Sequence, residues 1–272
     1  MNVRVRFAKY GAVKFVGHLD VLRYFQKAVR RAGLKIAYSQ GFHPHQIMSF
    51  ASPLGVGITS EGEYMDMELT AEYTPKEIVD ALNSAMVDGF TVLSARILPE
   101  PENGRKRETA MSLVTAADYL VTVKETDGFF SQKPLGELQE AWERFYHQES
   151  IPVIKTVKKS NTETTIDLKP FLYEASVNCD TLGTVEQRKA EKDFYEVAPI
   201  PDFASDQKEF CKGKGLFSVV LRVSAGSADN IKPELVMEAF AKFLGCENMD
   251  ALQFQIHRLN MYTGEYPALV RL

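Results

Sequence analysis

The first hundred residues alternate between the two-residue period of strands and the longer period of helices. Apolar side chains at Val3, Val5 and Phe7 are separated by polar ones, which predicts a strand. Residues 19–32 place their apolar side chains on one face at helical spacing, which predicts an amphipathic helix. The same periods predict further strands at 34–39, 63–69 and 90–98 and a helix that begins at Thr74-Pro75.

Strand, helix, strand, strand, helix, strand is the order of a ferredoxin-like domain, an antiparallel sheet with both helices on one face. The second half repeats this plan, with predicted strands at 118–124, 151–158, 216–223 and 254–262 and helices at 135–147 and 233–244. The segment 165–177 fits either a strand or a short helix. We therefore expect an α+β protein of tandem ferredoxin-like (βαββαβ) domains with antiparallel sheets.

The expected domains are a basic N-terminal domain at 1–98, a linker at 99–117 and a second domain at 118–272. Prolines, a glycine and the basic run Arg105-Lys106-Arg107 mark the linker. A polar, charged stretch at 180–215 is predicted to be an irregular insertion that embellishes the second domain.

Composition restricts the class of protein. Of the 272 residues, 45% are hydrophobic and 25% are charged, a globular balance that excludes a disordered or collagenous chain. No apolar run reaches the roughly 18 to 20 residues that cross a bilayer, and the first residues do not resemble a signal peptide. The three cysteines are scattered and suggest neither a disulfide framework nor a CxxC metal site. We expect a cytoplasmic protein without a membrane partner.

The net charge of −4 is unevenly distributed. Residues 1–60 contain nine Lys and Arg and a single acid, a net +8, whereas the remaining 23 basic and 35 acidic residues give −12. An asymmetry of this size indicates an anionic partner for the first segment.

Part of the excess positive charge falls on the first helix. Arg23, Lys27, Arg30 and Arg31 lie opposite its apolar face without interleaved acids, and Lys9 precedes them in sequence. The pattern is consistent with a solvated helix surface or with a helix that contacts phosphates, for which counterion release would make binding salt-dependent. We predict these five residues as nucleic-acid contacts.

Two further cations, Arg4 and Arg6, lie on the face of the first strand opposite its apolar residues. The third strand places Asp66 and Glu68 on the same face, so cross-strand ion pairs are expected. The alternative is a polar platform for a ligand or for the second domain. A sheet that recognises RNA presents stacking aromatics, and Tyr64 is the obvious candidate of that kind here.

Three histidines, His18, His43 and His45, offer candidate chemistry. His43 and His45 could ligate a metal only with a third ligand, such as His18 or an acid. They could also act as acid and base in metal-free RNA cleavage. Otherwise His18 packs at the helix start, and His43 and His45 are polar loop residues that contact phosphate. The following loop, 49–57, contains no nucleotide-phosphate motif, and no metal site is predicted.

Several ordered segments resemble a bacterial radical-SAM-linked domain of unknown function. They are FAKYG (7–11), FVGHLD (15–20), RRAG (30–33), YSQGFHPH (38–45), SFASPL (49–54) and SEGEYMD (60–66), with thinner similarity at 113–123 and 230–258. The motif residues are His18, Asp20, Arg30, Arg31, Ser39, Gly41, Phe42, Pro44, Pro53, Glu63 and Asp66. In that family the domain is fused to a radical SAM protein or encoded as its companion.

The resemblance implies a radical SAM partner that carries S-adenosylmethionine and an iron–sulfur cluster. The chain itself lacks a CxxxCxxC cluster motif, so it is expected to bind no cofactor and to perform no radical step alone. Together with the basic helix, this suggests an accessory protein that binds or presents RNA (tRNA or rRNA) for modification. The alternatives are a metal-free endoribonuclease or a metal-dependent hydrolase that uses His18, His43 and His45, or a pure protein-interaction module for the radical SAM partner.

Overall fold

The computed structural model describes residues 1–101, 107–124, 128–157, 162–178, 182, 193–197, 215–226, 229–249 and 251–272. Residues 105–106 of the basic run in the linker and most of the predicted insertion at 180–215 lie outside this set. In the part of the chain that is described, no helix combines the length and apolar character required to cross a membrane.

The structure is a mixed α/β protein. Its helices are α1 (His18–Arg31), α2 (Pro75–Ser84), α3 (Ala110–Leu113), α4 (Leu135–Tyr146) and α5 (Pro233–Phe243). Its strands are β1 (Asn2–Lys9), β2 (Met48–Phe50), β3 (Thr59–Glu68), β4 (Phe90–Leu98), β5 (Ala116–Val123), β6 (Pro152–Val157), β7 (Thr162–Asp167), β8 (Leu172–Val177), β9 (Phe194–Glu196), β10 (Ser218–Ser224), β11 (Phe254–Thr263) and β12 (Val270–Arg271).

The chain forms two compact units. The first contains Met1–Thr115, Val185–Asp202 and Arg258–Leu272, and the second contains Ala116–Thr184 and Phe203–His257. This division differs from the boundaries expected from sequence, because it assigns the C-terminal fifteen residues to the first unit.

In the first unit, β1 pairs antiparallel with both β3 and β4, and β2 pairs with β3. These four strands therefore lie side by side in the order β2-β3-β1-β4. The core packs α1 on this sheet through the contacting rings of Phe7, Phe25, Phe50 and Phe90. The helix α2 adds its buried apolar side chains, Ile78, Val79 and Leu82.

Both long helices of the first unit form where the sequence predicts them. In α1 the apolar stripe is buried, and Gly33, with a φ of +72°, follows the last turn. In α2 the Thr74 hydroxyl accepts from the Glu77 N–H while the Glu77 carboxylate accepts from the Thr74 N–H, a capping box with Pro75 in the first turn. The backbone N–H and then the hydroxyl of Thr74 lower the pKa of Glu77, so the cap persists to more acidic pH.

The prediction of a second strand at 34–39 is wrong. That segment makes only isolated bridges, Ile36 with Leu69 and Tyr38 with Gln46. The strand that pairs with β3 is β2, which lies within residues 41–57, a Gly/Pro/Ser-rich stretch expected to be a loop, and it aligns Met48 with Met67. Because β2 occupies this part of the β3 edge, residues 34–39 cannot form a continuous ladder there.

The second unit has the sheet order β8-β10-β5, with the first residues of β11 beside β5. Its core is aromatic, with Trp142 and Phe145 of α4 against Phe240 of α5. The predicted strand at 151–158 corresponds to β6, but β6 pairs with β7 in a separate two-stranded sheet. The ambiguous segment 165–177 contains the end of β7, a 3-10 turn and β8.

Candidate nucleic-acid interface

The polar face of α1 presents cations to solvent. Arg23, Lys27 and Arg30 are all exposed, and we call these three residues the α1 cations. Arg23 Nη1 lies 3.1 Å from Asp20 Oδ1 in an exposed pair one turn apart. Exposed pairs of this kind contribute only about 0–1 kcal/mol, so Arg23 can exchange this partner for a phosphate at small cost.

Arg31 has a different role. Its Nη2 donates to the carbonyl oxygen of Ala85 at 2.9 Å, and its guanidinium lies 5.7 Å from the centre of the Tyr24 ring. Ala85 is the C-cap of α2, where an unsatisfied carbonyl favours a cation. Arg31 therefore joins the end of α2 to α1 while it stays exposed.

Lys9 does not lie on the exposed surface. It is 2% exposed, and its Nζ donates to the carbonyl oxygens of Val16 at 2.7 Å and Lys14 at 3.4 Å. Burial lowers the pKa of Lys9, while Glu63 raises it and Arg258 lowers it. Lys9 thus secures the chain between β1 and α1. The alternation of β1 could have predicted the burial of Lys9, because Lys9 follows Phe7 by two residues and faces the same small cavity.

Residues 39–45 form a narrow projecting loop, which we call the finger loop. Its neck is closed by the Ser39 N–H, which donates to the His45 carbonyl oxygen at 2.8 Å, and by the His45 N–H, which donates to Ser39 Oγ at 3.1 Å. Ser39 Oγ also lies 2.8 Å from His45 Nδ1. At the tip, Gly41 has a φ of +114° and the Phe42 ring is fully exposed.

The finger loop and α1 meet at one carbonyl group. Gln46, which follows the loop and is buried, donates from Nε2 to the Gln26 carbonyl oxygen at 3.2 Å. Arg30 donates from Nε to the same oxygen, also at 3.2 Å. The base of the finger loop and the side chain of Arg30 are therefore adjacent.

The three candidate histidines have separate surroundings. His18 is half-buried and contacts the Phe50 ring edge-on at 5.5 Å between ring centres, whereas His43 and His45 are exposed in the finger loop. Among the residues that the structure describes, no three His, Cys, Asp or Glu side chains are grouped as metal ligands. This geometry provides no support for the hydrolase alternative.

The opposite face of the sheet is filled by ion pairs. Arg4 forms a two-point contact with Asp66, Nε–Oδ1 at 2.7 Å and Nη2–Oδ2 at 3.0 Å, which confirms the expected cross-strand pair. Arg6, expected to pair with Asp66 or Glu68 of β3, instead lies 2.9 Å from Glu196 of β9. Arg4, Arg6 and Tyr64 are all buried, so they do not form an accessible platform for a ligand.

A second buried pair links β3 to the C-terminal segment. Arg258 and Glu63 are each 4% exposed, and Arg258 Nη1 lies 3.1 Å from Glu63 Oε1. Arg258 also donates to the carbonyl oxygens of Ser52 at 3.2 Å and Pro53 at 3.4 Å. Sequence reasoning missed this role of Arg258, because the partner residues are about two hundred positions apart in the chain and no local spacing relates them.

A family model described as "Uncharacterized protein conserved in bacteria (DUF2344)" matches residues 2–197. The chain belongs to this family. None of the curated proteins compared with it matches. The DUF2344 match covers α1, the finger loop and β3 and ends beside β9, so it contains the whole candidate interface.

Six of the motif residues of this DUF2344 protein fall into two groups. Glu63 and Asp66 hold buried arginines, and the carbonyl group of Pro53 accepts from one of them. Gly41, Phe42 and Pro44 are exposed at the tip of the finger loop. The first group has a structural role that is evident from its contacts, whereas the side chains at the loop tip do not contribute to the core.

Replacing Tyr64 with Phe is expected to change the alkaline stability of the DUF2344 protein. The Tyr64 hydroxyl donates to Asn260 Oδ1 at 2.7 Å, and burial raises its pKa from 10.0 to about 12. Between these values the unfolded chain binds fewer protons than the folded one, so stability falls as pH rises, by about 3 kcal/mol over the window. The Tyr64→Phe variant has no hydroxyl to titrate, so its stability does not fall in this way. At neutral pH it is about 1 kcal/mol less stable than wild type, because it lacks the hydrogen bond.

Urea unfolding at intervals from pH 8 to pH 12 measures the effect. The difference in unfolding free energy between wild type and Tyr64→Phe should shrink and then reverse as pH rises. A difference that stays constant across this range would contradict the raised pKa.

Proposed function

We propose that this chain is an RNA-binding accessory protein that presents RNA (tRNA or rRNA) to a radical SAM enzyme for modification. The observation that carries the proposal is the convergence of Arg30 and Gln46, the residue that follows the finger loop, on the Gln26 carbonyl oxygen. This contact places the base of a loop with an exposed aromatic ring next to one of the exposed cations, and cations with aromatic rings are the groups by which proteins bind single-stranded nucleic acid.

The spacing of the α1 cations suits an extended polyanion. Arg23 and Arg30 are seven residues apart, which corresponds to about 10 Å along the helix axis. Each phosphate that they neutralise releases counterions and strengthens binding at low salt. The exposed ion pair with Asp20 contributes too little to compete with such contacts.

The radical SAM partner is inferred from the family resemblance of segments 7–66. S-adenosylmethionine and the iron–sulfur cluster would be bound by that partner, because this chain has no CxxxCxxC motif. The tandem ferredoxin-like interpretation is supported by the strand orders β2-β3-β1-β4 and β8-β10-β5-β11, each second, third, first, fourth within its unit. A cytoplasmic location is part of the proposal, since three scattered cysteines suit a reducing compartment.

A protein-interaction module is the second candidate. Phe15 and Leu19, at the N-terminal side of α1, are 66% and 65% exposed. Large apolar side chains exposed close together often mark protein contacts. In that case α1 would bind an acidic surface of the radical SAM enzyme rather than RNA.

Reversing the α1 cations tests the proposal. The variant Arg23→Glu/Lys27→Glu/Arg30→Glu should bind RNA on the order of 100-fold more weakly than wild type, since it replaces three phosphate contacts with repulsion. Fluorescence anisotropy with labelled total tRNA at several salt concentrations gives the affinity and its salt slope. Arg31 is left unchanged because it caps α2.

The control variant Arg144→Glu/Lys232→Glu/Lys242→Glu reverses three exposed cations of the second unit and changes the net charge equally. It should retain most of the RNA affinity. Equal affinities for wild type and the α1 variant would refute RNA binding at this face. Loss of the radical SAM partner in a salt-sensitive pulldown, without any RNA binding, would establish the protein-interaction alternative instead.

A further inference from the structure

We infer that the finger loop recognises an unpaired nucleotide by stacking its base on Phe42. The RNA would then be recognised at a single-stranded or looped segment rather than along a duplex. This inference rests on the proposed RNA binding and specifies the class of RNA that the same surface takes.

Hydrogen bonds hold the neck and the base of the finger loop, which carries Phe42 at its tip. The paired contacts between Ser39 and His45 close the neck, and the Gln46–Gln26 hydrogen bond attaches the base of the loop to α1. Pro44 restricts the backbone on the C-terminal side of the tip. A loop whose neck is already held loses less conformational entropy on binding, which favours its use as a contact.

Exposure of a single phenylalanine would not by itself indicate a site. The residues near Phe42 suit a nucleotide ligand, because His43 follows it in sequence and Arg30 lies at the base of the same loop. An exposed ring next in sequence to an imidazole, on a loop whose base adjoins a guanidinium group, offers a stacking surface together with groups that bind phosphates and base edges.

Discrimination between single and double strands follows from the same geometry. In a duplex both faces of every internal base are already stacked, so Phe42 gains no partner there. In a loop or single strand the ring covers a base that is otherwise in contact with water. Such stacking is worth roughly 5- to 150-fold in affinity for each base.

Binding of three RNA probes to Phe42 variants tests the inference. The probes are a labelled twelve-nucleotide single strand, the same strand annealed to its complement, and a hairpin with a seven-nucleotide loop. Phe42→Ala and Phe42→Leu should bind the single strand and the hairpin roughly 5- to 150-fold more weakly, with duplex affinity unchanged. Phe42→Trp should retain wild-type affinity, since indole also stacks.

The fluorescence of the Phe42→Trp variant measures contact between residue 42 and RNA directly. The chain has one tryptophan, Trp142, which is buried in the second unit, so an indole at position 42 dominates the exposed fluorescence. Its emission should be quenched by the single strand but not by the duplex.

The outcomes separate this inference from the proposed function. If wild type binds none of the probes, both are overturned. If the α1 cations are required for RNA binding but Phe42→Ala binds all three probes as wild type does, only the stacking inference fails. Equal loss of affinity for duplex and single strand, or a Phe42→Ala defect confined to pulldown of a protein partner, would also overturn it.

Discussion

Substitution of Glu63 with Ala is expected to lower the free energy of unfolding by about 3–5 kcal/mol, because it leaves a buried guanidinium without its carboxylate. The affected cation is Arg258, which is 4% exposed and lies 3.1 Å from Glu63. Its remaining contacts to the Ser52 and Pro53 carbonyl oxygens do not neutralise the charge. Urea unfolding followed by far-UV circular dichroism measures the loss.

Two variants define the origin of that loss. Glu68→Ala removes a partly exposed acid from the same strand and should change stability by no more than about 0.5 kcal/mol. The double variant Glu63→Leu/Arg258→Met replaces the buried pair with apolar side chains of similar size and should recover most of the stability. If Glu63→Ala costs no more than Glu68→Ala, the pair does not support the fold as argued.

The double variant also bears on function. It removes a motif residue, Glu63, yet should leave RNA affinity unchanged, because Glu63 is buried and the α1 cations and Phe42 are untouched. Motif residues that stabilise the interior and motif residues that are exposed at the finger loop therefore make opposite predictions. Substitution of a buried motif residue should lower stability, whereas substitution of a motif residue exposed at the finger loop should weaken binding.

Local signals predicted the parts of the fold that local interactions determine. The strand β4 occupies the predicted range, and the start of α2 follows from a capping box whose two partners are three residues apart. The position of the second strand was not predictable in this way. Residues 34–39 and 48–50 both have strand-like composition, and competition for the edge of β3 decides between them.

In the candidate interface, too, local patterns did not predict contacts between residues far apart in the chain. Helical periodicity placed Arg23, Lys27 and Arg30 on one exposed face, but it could not separate them from Arg31, which contacts a carbonyl group 54 residues away. The ion pair of Arg6 with Glu196 was not predictable from local sequence either. Glu196 lies in a segment expected to be an irregular insertion of the second domain, yet it belongs to the first unit.

Gly62→Ala is the second change expected to have a large effect, because the strands meet too closely there for a methyl group. An added Cβ would lie 2.5 Å from Asn260 Cα and 2.8 Å from both Asn260 N and Leu259 O. All three are backbone atoms of β11, so no side-chain rotation relieves the clash, and β3 must separate from β11. The loss is expected to be about 3 kcal/mol or more, at the upper end of overpacking effects.

Thermal unfolding of Gly62→Ala should show a midpoint about 6–12 °C below that of wild type. The matched control is Gly136→Ala in α4, where no heavy atom lies within 4 Å of the added Cβ. That variant should be neutral or up to about 1 kcal/mol more stable, because alanine favours the helix. A midpoint for Gly62→Ala within the error of wild type would mean that β11 does not approach β3 at Gly62. The Arg258–Glu63 contact, which joins the same two strands, would then be in doubt as well.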